Sequence, residues 1–293
     1  MARLKALMLA GGALIALSPV AVAADLLPPA PALEPPPPAA EFNGWYLRGD
    51  VGLGVNASTP NLATSPNPLV GYPATATNIF YNPTISASGL FDFGFGYQFN
   101  NWFRADVTEE YRGGAHFQAL EVLNDAADQI QYADFYRADM WSAVTMFNGY
   151  LDMGTWWGVT PYVGGGLGFA YNKMFGFTDT GYAYTGTNPA APTGGYLDDG
   201  GKWNFAWGLM AGLSFNVTQN LKLDLGYRYL DYGKYTTGSS HCLSAGSTSG
   251  FSCSGGAYTI YSKNDLASND FRIGLRWMIG EEPTYAPPLT RKY

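Results

Sequence analysis

From Ile85 to Asn100 the chain alternates: Ile85, Ala87, Gly89, Phe91, Phe93, Phe95, Tyr97 and Phe99 fall on one side, and Ser86, Ser88, Leu90, Asp92, Gly94, Gly96, Gln98 and Asn100 on the other. Successive side chains on a strand point to opposite faces, so this period of two predicts a ribbon that is aromatic on one face and small or polar on the other. Seven further stretches repeat the pattern: Trp45 to Asn56, Trp102 to Arg112, Phe135 to Tyr150, Thr160 to Asn172, Lys202 to Asn216, Leu221 to Tyr232 and Asn269 to Gly280. Phe135 to Tyr150 is the least regular, because Trp141 and Asn148 interrupt its alternation, and a bulge is expected there. Between the third and fourth stretches, Phe117 to Ile130 reads as a short helix within a long connection, and 173 to 201 reads as a Gly/Thr/Pro-rich loop.

The eight ribbons carry their large apolar side chains on one face and nearly all their charges on the other. A water-soluble sheet would bury the aromatic face, but here every ribbon shares the same asymmetry. Lipid outside and a narrow polar lumen inside satisfy all of them at once. Connections alternate long and short, as in outer-membrane barrels with short periplasmic turns and an even strand count. The fold class expected is therefore all-β: an eight-stranded antiparallel transmembrane β-barrel over 43–280, closed because a free sheet edge in lipid leaves backbone groups unpaired.

Alternation sends Arg48, Asp50, Asp92, Arg104, Asp106, Glu110, Arg112, Arg137, Asp139, Lys222, Asp224, Arg228, Asp270, Arg272 and Arg276 into the lumen. An eight-stranded barrel is only wide enough for side chains to fill it, so these charges are expected to pair as a plug. A selective pore lining or proton relay is the competing reading. Gly164, Gly166 and Gly168 fall on the same inner face, where glycine permits close packing against large neighbours.

Composition agrees with lipid contact, since aromatic residues reach 16% and charged residues only 13%. The amino end has a secretory layout: Arg3 and Lys5, an apolar run to Leu17, then Ala21-Val22-Ala23, with cleavage expected between Ala23 and Ala24. Losing Arg3 and Lys5 leaves 14 cations against 23 acids, a net charge of −9, which argues against nucleic acid as a partner. Residues 24–42 carry seven prolines between Pro28 and Pro38 and read as a periplasmic linker. In polyproline II form such a linker reaches up to about 60 Å. Residues 281–293 are expected to form a periplasmic tail. Cys242 and Cys253, with ten residues between them, lie in a Gly/Ser-rich segment and are expected to form a disulfide loop staple in an oxidising compartment.

Catalytic, metal and cofactor sites find little support. His116 and His241 stand far apart in sequence, and no spacing singles out a Ser–His–acid set, so no enzyme activity and no cofactor are expected. Asp198-Asp199 and Glu109-Glu110 could meet divalent cations bridging lipopolysaccharide phosphates, or could be plain solvated rim residues.

Three segments carry a family resemblance: Phe42-Asn43-Gly44-Trp45-Tyr46-Leu47-Arg48-Gly49, Asn101-Trp102-Phe103-Arg104-Ala105-Asp106-Val107 and Thr160-Pro161-Tyr162-Val163-Gly164-Gly165-Gly166. They resemble the small porin-like outer-membrane barrels of alphaproteobacteria, the surface-antigen family with the OmpA-type transmembrane architecture. That resemblance implies an abundant barrel of the Gram-negative outer membrane supporting envelope integrity. Its partners would be outer-membrane lipid, lipopolysaccharide and the barrel-assembly machinery, with an internal assembly signal around Phe271 to Met278. Ala24-Asp25 also resembles the exposed mature terminus of alphaproteobacterial barrels that an L,D-transpeptidase joins to peptidoglycan. An α-amine titrates near 7.7 to 8.0, so a useful fraction is nucleophilic at neutral pH. A passive spacer behind an ordinary cleavage site is the alternative there. For the whole protein, a narrow solute channel and a surface adhesin acting through the outer loops compete with the structural role.

Overall fold

The computed structural model describes residues 43–65, 77–125, 127, 129–185, 188–243 and 257–279. Thirteen strands occur in chain order: β1 Gly44–Asn56, β2 Leu62–Ser65, β3 Thr77–Ile85, β4 Ser88–Gln98, β5 Phe103–Asn124, β6 Ile130–Asp152, β7 Val159–Thr185, β8 Asn188–Leu197, β9 Gly200–Asn216, β10 Leu221–Gly233, β11 Ser240–Leu243, β12 Thr259–Ser262 and β13 Leu266–Ile279. Eight of them, β1, β4, β5, β6, β7, β9, β10 and β13, pair antiparallel each with the next, and β13 returns to β1 from Trp45↔Ile279 to Asn56↔Ser268. The sheet closes on itself and leaves no edge within the ring.

Side chains facing outward from the ring are large and apolar. Trp45, Phe93, Phe95, Phe147, Leu167, Phe205, Leu209, Phe271 and Trp277 are all more than half exposed. Two chains of touching rings bound this band. On the periplasmic side Trp45, Tyr97, Phe99 and Phe103 lie 5.1 to 5.3 Å apart in sequence of contact. On the opposite side Tyr111, Trp141, Tyr171 and Trp203 follow at 6.1, 5.7 and 5.1 Å. Paired aromatic girdles flanking an apolar belt mark the two membrane interfaces of an outer-membrane barrel.

Short turns close the periplasmic end. Asn100 makes the β4–β5 turn by accepting hydrogen bonds at Oδ1 from the Trp102 and Phe103 amides at 3.0 and 2.8 Å. Thr218 Oγ1 does the same for the Leu221 amide at 3.0 Å before β10. Local side-chain acceptors of this kind favour turns over continued strand.

The stretch expected to be a helix, within Phe117 to Ile130, is strand instead. β5 continues to Asn124, β6 begins at Ile130, and the two meet in a short hairpin. The reason is a bulge. Up to Arg112 the even-numbered residues of β5 face inward; from Ala115 onward the odd-numbered ones do, with Phe117, Ala119, Glu121 and Leu123 buried. The register shifts between Arg112 and Ala115, where Gly114 adopts φ +74°. One extra residue reverses the phase and hides the period of two. β7 repeats the device at Gly176, φ +62°, so that β7 and β8 occupy much of the expected 173–201 loop. β6 itself holds strict alternation from Asp134 to Asp152, so the bulge expected there lies in its partners. Trp141 faces outward within the outer girdle, and Asn148 faces inward.

At about 3.3 Å per residue and a tilt of about 40°, 22 residues of β5 rise about 55 Å, roughly twice the height of the apolar band. β5, β6 and β7 therefore stand well above the membrane. There the ring is lined by apolar side chains, among them Phe117, Tyr136, Met140, Met174, Phe177, Leu197 and Tyr235. The uniformly polar interior expected from the sequence is corrected: paired charges fill the membrane-level half, and a mainly apolar core, with Glu121, Asp134 and Asp179 among its buried acids, fills the outer half.

Candidate functional site

The chemistry of this chain is concentrated in the membrane-level lumen. Inward-facing glycines make the room for it. A Cβ on Gly164 would lie 2.6 Å from the Tyr150 ring, and one on Gly54 would lie 2.1 Å from the Arg112 guanidinium.

Two linked clusters and a periplasmic layer occupy that space. In the outermost, Arg228 bridges Glu110 and Asp270, both at 2.6 Å, and Arg112 meets Glu110 at 3.0 Å and Asp270 at 2.8 Å. Below it, Arg48 meets Asp50 at 2.8 Å and Asp106 at 3.0 Å, while Tyr150 Oη accepts from Arg48 Nη1 at 2.7 Å. Arg272 joins the two clusters by touching Asp92 and lying 3.7 Å from both Asp50 and Glu110. Nearest the periplasm, Arg104 pairs with Asp152 and Arg276 with Asp224, each at 3.2 Å. The Arg104 guanidinium is also sandwiched over the Tyr150 and Tyr162 rings at 4.0 and 4.8 Å. None of these paired arginines and acids is more than 8% exposed. Buried charges persist only when paired, and each of these arginines and acids has an oppositely charged neighbour, although Asp92 and the Arg104 Nη atoms make no hydrogen bond.

The structure brings together Arg48, Asp50, Asp92, Arg104, Asp106, Glu110, Arg112, Asp224, Arg228, Asp270, Arg272 and Arg276, and directs Lys222 inward at the periplasmic end beside Arg276. Asp139 and Arg137 do not belong. Both lie on the outward face of β6, where Asp139 Oδ1 is 2.6 Å from His116 Nδ1. They sit above the outer girdle, where an outward charge meets headgroups or water rather than hydrocarbon, so the rule that sorts charges inward no longer holds. Asp152 is an interior acid that sequence reasoning missed. It lies on the inward phase of β6, two residues beyond Tyr150, where the alternating pattern in the sequence ends. With these changes seven cations face seven acids.

The two acidic pairs separate as well. Glu110 belongs to the interior network, whereas Glu109 points outward, where its carboxylate accepts a hydrogen bond from Thr145 Oγ1. Asp198 meets His241 Nε2 at 2.9 Å and Asp199 meets Lys173 at 3.0 Å. The two histidines thus sit with separate carboxylates, His241 also stacking on Tyr196 at 4.6 Å. Among the described residues no group of three His, Cys, Asp or Glu side chains is placed to hold a metal ion. Cys242 is disulfide-bonded; Cys253 lies outside the described residues, as do Ala23, Ala24 and Asp25, the proline linker and the tail after Ile279.

A closed ring with a lipid-facing apolar belt, aromatic girdles and a charge-filled lumen defines a membrane-spanning β-barrel. The chain belongs to the outer membrane protein β-barrel domain family, whose model matches residues 13–278. It is 34% identical over 224 residues to an uncharacterized protein of Brucella suis biovar 1 (strain 1330), covering 72% of this chain and 75% of that one. It is 26% identical over 250 residues to outer membrane protein PagN of Salmonella typhimurium (strain LT2), covering 82% and 91%. Among solved structures, Neisserial surface protein A is 15% identical with a TM-score of 0.42, spanning 82% of this chain and 99% of its own. That likeness bears on no feature of the lumen. The protein is a β-barrel of the Gram-negative outer membrane, in keeping with the resemblance read from its sequence.

Proposed function

We propose that the protein is a structural, non-conducting barrel that contributes to the integrity of the cell envelope, joined to peptidoglycan through the mature terminus at Ala24. The observation that carries the structural role is the lumen: Arg228, Glu110, Asp270, Arg112, Arg272 and Asp92 form a continuous, buried set of ion pairs across the ring, with an apolar core stacked above it. A water-filled solute path needs unfilled polar space, and both storeys are occupied by side chains. The tether is supported by the linker of 24–42, whose reach of up to about 60 Å lets an α-amine approach the wall while the barrel stays embedded. In this reading the protein is the acceptor, and an L,D-transpeptidase supplies the chemistry. Mass spectrometry of muramidase-digested sacculi is expected to recover muropeptide bonded to Ala24. Recovery of the free Ala24 amine alone, from cells expressing the protein normally, would overturn the tether and leave the plugged barrel standing.

A further inference from the structure

Above the outer girdle, the inward faces of β5, β6 and β7 place three carboxyls side by side. Glu121 stands opposite Asp134 across β5–β6, and Tyr136 stands opposite Asp179 across β6–β7. Glu121 is 2% exposed, and Asp134 and Asp179 are each 7% exposed. Like charges directly opposite on a sheet are destabilising, and burial sharpens the penalty.

The neighbours supply hydrogen bonds but no positive charge. β3 offers Asn78 and β6 offers Tyr136, both donating to Glu121; β8 offers Thr193, whose Oγ1 donates to Asp134 at 2.7 Å. Tyr258, before β12, lies with its hydroxyl 3.3 Å from that of Tyr136. Asp179 Oδ1 is buried with no hydrogen-bond partner at all. No ion pair reaches any of the three acids among the described residues: Arg137, next to Tyr136, lies on the outward face of β6, Lys173 pairs with Asp199 and Lys234 with Asp265. Nor can the chain outside the described residues on this side supply one, because 66–76, 126, 128, 186–187 and 244–256 contain no Lys, Arg or His. Neutralisation must come from solvent. The described acids do not converge as a metal would require, so separate protons are the neutralising species.

We propose that Glu121, Asp134 and Asp179 form a proton-operated latch on the extracellular tip of the barrel: protonated, they hold β5 to β8 together over the apolar core, and ionised, they drive that tip apart. Burial, the largest cause for each, moves all three carboxyls above their ordinary range. Glu121 rises to about 7 despite the bonds from Tyr136 and Asn78. Asp134 rises to about 6, and Asp179 to about 8, the latter also through the neighbouring Asp134 and Glu121 charges. Acids with raised folded-state values bind more protons folded than unfolded, so stability of the tip declines as pH rises. Its contribution is complete below the ordinary carboxyl range and is lost progressively through about pH 6 to 8. Opening changes how the outward Tyr182 and Tyr196 are presented, both of which are exposed at the tip.

The test is hydrogen exchange of the full mature protein in lipid nanodiscs, corrected for intrinsic rates, at about pH 5.5 and about pH 8.5. Amides of 132–136 and 177–182 are expected to lose at least about tenfold protection at the higher pH relative to 104–108 within the membrane, one unit of carboxyl titration being worth a factor of ten. The variant E121Q/D134N/D179N is expected to stay protected at both pH values. D179N alone, which keeps the Tyr136 and Thr193 contacts, is expected to reduce the loss and guards against misfolding of the triple variant. Equal protection of the wild type at both pH values overturns the latch. So does a triple variant that opens like the wild type, or calcium restoring protection at the higher pH, which would make the cluster a metal site instead.

Discussion

Arg228 is the residue on which the interior turns. It meets Glu110 and Asp270 at once, and both carboxyls are essentially inaccessible. Removing one partner of a buried ion pair is strongly destabilising because the remaining charge is left uncompensated. Arg228→Ala is therefore expected to lose about 3 to 5 kcal/mol of folding stability, read as a lowered urea midpoint for the barrel in lipid vesicles. Arg228→Ala combined with Glu110→Gln is expected to recover part of that loss, since it removes the excess negative charge that the remaining Arg112 and Arg272 would have to balance. At this scale most of the site was legible. Lys222, Asp224 and Arg228 alternate with Leu223, Leu225 and Tyr227, and a slip of one would put charge into hydrocarbon at about 2 to 4 kcal/mol per cation. That penalty holds only at membrane depth. Arg137 and Asp139 lie above it and were misplaced for that reason, while Asp152 fell beyond the assumed end of its ribbon.

Among the elements, β5 shows where pattern reading fails. Its membrane half keeps one phase and was recognised; its outer half keeps the opposite phase, and a helix was expected in its place. Nothing in a window spanning Gly113-Gly114 reveals a period of two, because the bulge averages the phases out. The glycine pair is the one signal that could have been used, since an isolated Gly in a strand pattern suggests a bulge. Gly114 has φ +74° and no atom within 4 Å of where a Cβ would stand, so any cost of substitution comes from the backbone alone. Gly114→Ala is expected to cost about 1 to 2 kcal/mol, and Gly114→Asn less, because Asn tolerates the left-handed region. Urea midpoints of the two variants check the order. An equal effect of Ala and Asn would mean that the bulge does not hold this conformation in solution.

As a whole molecule the barrel is two storeys with different solvents inside. The lower one has lipid without and ion pairs within; the upper one has water without and an apolar core within. Fold class and strand count followed from one physical fact, that lipid and lumen sort side chains with a period of two. The upper storey stayed hidden because its outer face meets water, which accepts Tyr182, Arg137 or Thr178 alike and so imposes no comparable sorting. The structural role proposed above rests on the filled lumen, and single-channel recording of the purified mature protein in planar bilayers tests it most directly. Wild-type protein, shown to be inserted and folded, is expected to give no steady current in concentrated potassium chloride. A stable, ohmic conductance from the same preparation would contradict a barrel closed by its own ion pairs.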